Sequence, residues 1–320
     1  MNISLLILAY NEKEFINDVI DKYKDSFKEI IVVNDNSSDG TKEIVQELIK
    51  ENSHIKLIDN KKNQGAGRSF FNGVDYFLKS DSYYLIKIDG DDQFLKEDVA
   101  FLLDRIQNEH FDFIKCDRFW IDGIVGKIPN VRYFGNAFAS FLIKFTTGNW
   151  LVNDPLNGLF VLSKKAVNNL TLPKLFNRYG YPFYLVAEII KNSITSDLKI
   201  GQYKNKVKYE KESSSLNAFT MFFKLTWYTL KNYYLKIILK LRISELQTSA
   251  ILDIFGQIFL IASIYSISRF IGIRYFDLIG GSQAIWFLVF LILFIIFTIM
   301  VTLSQKIESS ISKGKFVKLN

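Results

Sequence analysis

Three aspartates and a glutamine fall within five residues at Asp89-Gly90-Asp91-Asp92-Gln93, directly after the apolar run Tyr83-Tyr84-Leu85-Ile86-Lys87-Ile88. Such a β-branched and aromatic run predicts a buried strand. A parallel strand delivers the residues after it to the carboxyl edge of its sheet, where α/β proteins bind ligands. Asp89 and Asp91, with the Gln93 carbonyl two residues on, offer hard oxygen donors. Mg2+ or Mn2+ takes such donors while leaving positions for phosphate oxygens. The same residues also suit a solvated acidic turn capping a helix that opens near Leu95. On this stretch alone either reading stands.

A site of this kind needs a scaffold that gathers strand ends. Strand-like runs at Ile3 to Ala9, Glu29 to Val33, Ile55 to Ile58, Tyr83 to Ile88 and Phe111 to Lys115 alternate with helical periodicity near 12–25, 40–51, 67–79 and 95–108. Strands separated by single helices predict right-handed βαβ crossovers, hence an α/β fold with a mostly parallel sheet covered on both faces. Ile3 to Ala9 is short and lacks a basic leader, so it is expected as the first core strand rather than a signal peptide. Polar clusters come after each strand: Tyr10-Asn11-Glu12, then Asn34-Asp35-Asn36-Ser37-Ser38-Asp39-Gly40-Thr41, then Asn63-Gln64-Gly65-Ala66-Gly67-Arg68, then the acidic cluster. Turn and capping chemistry accounts for Ser38, Asp39 and Gly40. It leaves Asp35, directly at a strand end, able to accept hydrogen bonds from a base or ribose. Gly65-Ala66-Gly67 imitates a dinucleotide fingerprint, but Phe70 replaces its third glycine and it comes after the third strand. Its small residues are expected to let a helix N-terminus approach a ligand or the sheet. No P-loop pattern occurs.

The four clusters Ala9-Tyr10-Asn11-Glu12, Asn34 to Thr41, Asn63-Gln64-Gly65 and Asp89 to Gln93 together resemble the motif series of the large inverting glycosyltransferase family with the GT-A fold. Within it they resemble the dolichol-phosphate mannosyltransferase and polyprenyl-phosphate glycosyltransferase branch. The resemblance covers about the first 120 residues. It implies a Rossmann-like GT-A domain, a nucleotide-sugar donor (UDP- or GDP-hexose) and a divalent cation bridging the donor's diphosphate. Carried over by position, Tyr10, Glu12 and Asp35 would contact base and ribose, with Ala9, Asn11, Asn63, Gly65 and Gly90 in the same donor site. Asp89, Asp91 and Gln93 would hold Mg2+ or Mn2+. Leu8 stands where a proline is usual, and Asn34 and Asn36 replace the Asp and Gly commonly flanking Asp35, so the choice of base stays open.

Phe113-Ile114-Lys115-Cys116-Asp117-Arg118 is a further strand ending in an arginine, a fixed cation whose planar donor fork suits a phosphate. Arg132, ahead of a helical run to Thr147, resembles a second phosphate-side arginine of that branch. Asn153-Asp154-Pro155-Leu156-Asn157-Gly158-Leu159-Phe160 is similar to its D-x-x-x-G-[FY] turn. There Asp154 could orient a sugar hydroxyl or act as a base, although Asp-Pro and Asn-Gly also form turns that need no chemistry. Arg178-Tyr179-Gly180-Tyr181 and the segment Tyr209 to Leu216 resemble further elements of the branch. A hydroxyl acceptor must lose a proton as it attacks and so requires a positioned carboxylate. A polyprenyl phosphate is already an anion. It needs charge placement more than proton transfer, and cations could provide that.

The chain has 320 residues, 49% of them hydrophobic, and a net charge of +7. That hydrophobic share is high for a wholly soluble protein. The single Cys116 excludes an intrachain disulfide and a cysteine zinc site, and His54 and His110 lack metal-ligand spacing. Leu216 to Ile243 is aromatic and aliphatic but carries Lys224, Lys231, Lys236, Lys240 and Arg242, as suits a helix in the lipid headgroup layer. Two apolar stretches, about 250–270 and 284–303, are long enough to cross a bilayer. The expected organisation is a catalytic domain over 1–215, interfacial helices over 216–246, a two-helix transmembrane hairpin over 247–304 and a basic tail over 305–320. Lys and Arg counts, five before the hairpin, four after it (Lys306, Lys313, Lys315 and Lys318) and two within its loop, place the catalytic part and tail in the cytoplasm. The expected location is therefore the cell inner membrane. The basic surplus then belongs with membrane lipid and a polyprenyl phosphate acceptor, not nucleic acid, and the paired spans offer a surface for homo-oligomers. The rival readings are a transferase acting on a hydroxyl acceptor in cell-surface glycan synthesis and a non-catalytic binding scaffold. A processive synthase is disfavoured because the Gln-x-x-Arg-Trp element is missing.

Overall fold

The computed structural model describes residues 2–120, 124–125, 130–168, 170–208, 217–276, 282–312 and 316–319. The segment Tyr209 to Leu216, with Lys313 and Lys315, lies outside the described residues. Strand β1 (Ile3–Ala9) is buried at every position, as a parallel strand covered on both faces must be. Helix α1 (Ile16–Tyr23) buries Ile16, Val19, Ile20 and Tyr23, one stripe at helical spacing. The alternation continues through β2 (Glu29–Asn34), α2 (Thr41–Glu51), β3 (Ile55–Asp59), α3 (Ala66–Lys79), β4 (Tyr84–Asp89), α4 (Lys96–Glu109) and β5 (Phe113–Asp117), close to the sequence expectation. Next come β6 (Ile124–Val125), α5 (Asn130–Thr147), β7 (Phe160–Ser163), α6 (Lys164–Val167), α7 (Tyr181–Thr195), β8 (Ile200–Lys204), β9 (Val207–Lys208), α8 (Ala218–Leu241), α9 (Gln247–Phe276), α10 (Gln283–Ser312) and β10 (Phe316–Leu319).

Eight strands form one sheet in the order β10-β8-β5-β7-β4-β1-β2-β3, and β6 pairs with β9 separately. Within the large sheet β7 is antiparallel to both β4 and β5, and the remaining pairs are parallel. The direction of β7 matters for the site. Residues that precede an antiparallel strand arrive at the edge where its parallel neighbours end, so Asp154 and Gly158 come to the ends of β4 and β5.

The contacts divide the described residues into two units. The first takes in those of Met1–Thr147, Leu151–Trp227 and Lys315–Asn320, and so holds both sheets. The second takes in those of Gly148–Trp150 and Tyr228–Gly314, with most of α8, α9 and α10. Helices α9 and α10 run antiparallel: Ser249 meets Ser304, Gly256 packs against Met300 and Val301, and Phe270 packs against Phe287. Their stretches Ser244–Tyr275 and Gln283–Ile311 are long and apolar enough to cross a membrane, and both exceed the expected spans. The segment expected as a tail continues α10 to Ser312 and then returns as β10, parallel to β8 in the first unit.

Candidate active site

The donor end is built by β1 and β2, whose trailing loops are joined by hydrogen bonds. Asn11 adopts φ +58°, donates its backbone N–H to Ser37 Oγ at 2.9 Å, and accepts from Ser38 N at 2.9 Å through Oδ1. Glu12 N donates to Thr41 Oγ1 and Lys13 N to Asp39 Oδ2. Asp35 N donates to Ala9 O, and Gly90 N to Leu8 O, both at 2.9 Å. With the backbone thus fixed, the Tyr10 ring is left half exposed at the edge, at 50%.

Asp35 is 4% exposed and is engaged by the chain itself. Its Oδ1 accepts from Asn60 Nδ2 and Gln64 N at 2.9 Å, and its Oδ2 from Gly65 N at 2.7 Å. It therefore builds the loop that carries Asn63 and Gly65, and Asn63 Oδ1 is buried without a partner. The asparagine at 34 has a physical reason. Its amide donates to Asp59 Oδ1 at 2.7 Å, where an aspartate would set one carboxylate against another.

The glycines at 65 and 67 do not bring α3 to a phosphate. Gly67 N donates to Arg178 O at 3.0 Å and Arg68 N to Asn177 O at 2.8 Å, so carbonyls of the chain cap this helix N-terminus. A Cβ on Gly67 would collide with Phe176 O, and one on Gly65 would lie 2.8 Å from Arg178 Cα. The segment Arg178 to Tyr181 then carries the chain from Gly65 to Lys87 and Asp89.

Asp89 and Asp91 stand half-buried at the end of β4 with Gln93 beside them. Gln93 N donates to Asp91 Oδ1 at 3.4 Å, and Asp92 pairs instead with Lys22. Beneath Asp89 lies Lys87, 1% exposed, with Nζ 2.5 Å from Asp89 Oδ1. Burial by itself pulls the Lys87 ammonium down, but the Asp89 carboxylate and the Tyr181 hydroxyl outweigh it and hold it above the usual lysine range. Burial pushes the Tyr181 hydroxyl up to about 12. Among the described residues no group of three His, Cys, Asp or Glu could hold a metal ion alone. Two half-buried carboxylates two residues apart at one strand end nevertheless suit a hard cation that completes its shell with phosphate oxygens and water.

At the end of β5, Arg118 grips Asp154. Its Nε donates to Oδ2 at 2.9 Å, its Nη2 to Oδ1 at 3.1 Å and its backbone N to Oδ2 at 3.1 Å. Asp154 is 0% exposed and adopts φ +45°, and Ser140 Oγ of α5 accepts from its backbone N at 3.1 Å. Phe119 meets Tyr133 with ring centres 5.9 Å apart, which brings the start of α5, and with it Arg132, towards the same strand end. Two strand spacings separate the ends of β4 and β5, about 10 Å.

Several polar residues at this end were given no role from the sequence. Lys115 is 1% exposed and donates to Asn157 O and Cys116 O at 3.1 Å; burial pulls its ammonium down to about 8. Burial, then the charge of Asp154, raises Asp117, and burial raises the Cys116 thiol, which leaves it inert. Asn157 Nδ2 donates to Asn205 Oδ1 at 2.8 Å. The available clue was a lysine inside an apolar strand two residues before an aspartate, Lys87 before Asp89 and Lys115 before Asp117, since positions i and i+2 share a face. Aromatic exposure on α5, at Tyr133 (50%), Phe134 (70%) and Phe141 (51%), likewise has no counterpart in the sequence expectations.

Comparison with known proteins gives this geometry a setting. The glycosyl transferase family 2 model matches residues 4–171. A UDP-N-acetylglucosamine–dolichyl-phosphate N-acetylglucosaminyltransferase of Methanococcus voltae is 26% identical over 241 residues, 70% of this chain and 94% of that protein. A poly-beta-1,6-N-acetyl-D-glucosamine synthase of Staphylococcus epidermidis is 27% identical over 224 residues, 65% of this chain and 48% of the synthase. The crystal structure of S. aureus TarS 1-349 in complex with UDP-GlcNAc shares the fold at TM-score 0.51 and 15% identity, covering 98% of this chain and 93% of that one.

Proposed function

The chain belongs to glycosyl transferase family 2, and from that premise we propose that it transfers one sugar from a nucleotide-sugar to a polyprenyl phosphate, with inversion, at the cytoplasmic face of a membrane. The observation that carries the acceptor is the closed pair Arg118–Asp154. Asp154, the carboxylate that could have served as a base for a hydroxyl acceptor, is already bound on both oxygens, which favours an acceptor that needs none. A lipid phosphate oxygen attacks the anomeric carbon, the bond from that carbon to the diphosphate oxygen breaks, and the nucleoside diphosphate leaves with the electron pair. No proton has to be removed from the nucleophile.

Each end of the sheet then has a part. The Tyr10 ring and the Asn63–Gly65 loop held by Asp35 receive the nucleoside, and the match to the M. voltae relative makes a UDP-sugar the first donor to test. Asp89 and Asp91, with Gln93, would hold Mg2+ or Mn2+, which when bound neutralises the departing diphosphate. Arg118, oriented by Asp154, and Arg132 on α5 seat the lipid phosphate. Exposed aromatics on α5 and the start of α8, among them Phe134, Phe219 and Trp227, with Phe138 stacked on Phe222 at 4.6 Å, suit a catalytic unit resting in the headgroup layer. Helices α9 and α10, long and apolar enough to cross a membrane, anchor it.

The test uses the purified full chain in nanodiscs, given radiolabelled UDP-GlcNAc, UDP-glucose or GDP-mannose with undecaprenyl or dolichyl phosphate, with and without EDTA. The expected product is a lipid-linked sugar labile to mild acid, lost with EDTA and in Asp91→Asn. Label passing to a neutral hydroxyl acceptor and not to lipid phosphate would establish the rival reading instead.

A further inference from the structure

Lys87 is a charged residue where the sheet has no need of one. It lies within β4 between Ile86 and Ile88, 1% exposed, with Nζ 5.8 Å from the ring centres of both Phe160 and Tyr181. An ammonium in such surroundings is costly unless it is paired. Among the described residues its ion-pair partner is Asp89, half of the acid pair, at 2.5 Å. Gly158 covers the other side: a Cβ there would collide with Asp89 Oδ2 and stand 3.1 Å from Lys87 Nζ. The Asp89 side chain remains 36% exposed, so the carboxylate touches a fixed cation below and solvent above.

We propose that Lys87 is a built-in counter-ion of the Asp89–Asp91 pair, a positioning residue that keeps the pair from holding a divalent cation tightly until the donor diphosphate arrives. This rests on the donor reading above. Two carboxylates alone present a charge of about −2; with Lys87 beside them the sum is about −1, which roughly halves the attraction for a dication in the nucleotide-free state. The diphosphate restores negative charge and supplies the missing oxygens. Cation and nucleotide then bind as a unit and leave as one, so turnover does not strand a tightly held ion.

The test is Mn2+ binding, read from the EPR signal of free Mn2+, on the full chain in detergent, with and without UDP, and with GDP in parallel. Lys87→Met fills the space of the lysine stem and removes its charge. Lys87→Gln removes the charge but keeps a donor for Asp89, and so reads the same difference should the methionine variant not fold. Both are expected to tighten Mn2+ binding without nucleotide by about 10-fold or more and to shrink the gain produced by UDP, while Lys87→Arg restores wild-type behaviour. Binding that is unchanged or weaker in the neutral variants, with UDP-dependent binding intact in wild type, overturns the proposal alone. Wild-type protein that takes up no Mn2+ with either nucleotide overturns the donor reading, and this proposal with it.

Discussion

Arg118 and Asp154 meet through two side-chain hydrogen bonds, at 2.9 and 3.1 Å, with the carboxylate wholly out of solvent. The pair fixes the direction of the guanidinium, and that gives Asp154 a use that needs no proton transfer. Asp154→Asn should keep the turn but release Arg118, lowering kcat/KM for the lipid phosphate by about 100-fold. The shape of the pH–rate profile should not change. A base at 154 would instead show itself by loss of the acidic limb in the variant.

The close approach of residues 176–178 to α3 sets a second expectation. Gly67→Ala pushes a methyl group into Phe176 O and breaks the cap formed by Asn177 O and Arg178 O. A backbone neighbour cannot move aside as a flexible side chain can, so a loss of about 2 kcal/mol is expected. Thermal melting in detergent should show it, with Gly135→Ala, inside α5 and meeting nothing within 4 Å, as the control that is expected to gain up to about 1 kcal/mol.

The alternating strands and helices were legible because each is long and strongly periodic, and the carboxylates at 89 and 91 were legible because they end such a strand. Strand β7 was not: Phe160–Ser163 is four residues long, too short for a pattern, and its antiparallel pairing depends on partners far away in sequence. Strand β10 gave no signal for the same reason. The capping of α3 by Asn177 and Arg178 is tertiary, so Gly65-Ala66-Gly67 showed that something came close without showing what. The sequence pattern groups Lys236 and Lys240 with Lys224, Lys231 and Arg242 as residues facing lipid phosphates. Helical spacing places a lysine on a face but does not say what covers that face, and these two turn inward.

The pH dependence of stability isolates Lys115. Its folded pKa of about 8 lies below the ordinary value of about 10.4. Between those values the unfolded chain holds a proton that the folded chain has released, so stability rises with pH through that window. Lys115→Met lacks this effect, while the buried tyrosines and Cys116, which act in the opposite sense, remain in both proteins. From pH 7.5 to 9.5 the wild type should therefore gain about 2 kcal/mol relative to the variant, measured by denaturant melts in detergent. A constant difference across that range would show that Lys115 is not depressed.

Within the second unit the inward lysines form a balanced cluster. Lys240 pairs with Asp253 and Glu308, Lys236 Nζ lies 2.7 Å from Glu308 Oε2, and Tyr233 donates to Asp253 Oδ1 at 3.0 Å. All four charged groups are at most 6% exposed, so α8, α9 and α10 are held together by two cations facing two anions. Lys240→Met leaves one anion too many in a buried space, a change that typically costs about 3–5 kcal/mol. Lys240→Met with Asp253→Leu restores neutrality with apolar side chains and should recover most of that loss, because a buried pair replaced whole is often close to neutral in stability. Thermal melts of the two variants in the same detergent compare them directly. Additive losses would mean that the charges do not interact, and recovery in the double variant would show that they hold α8 to the hairpin as one network.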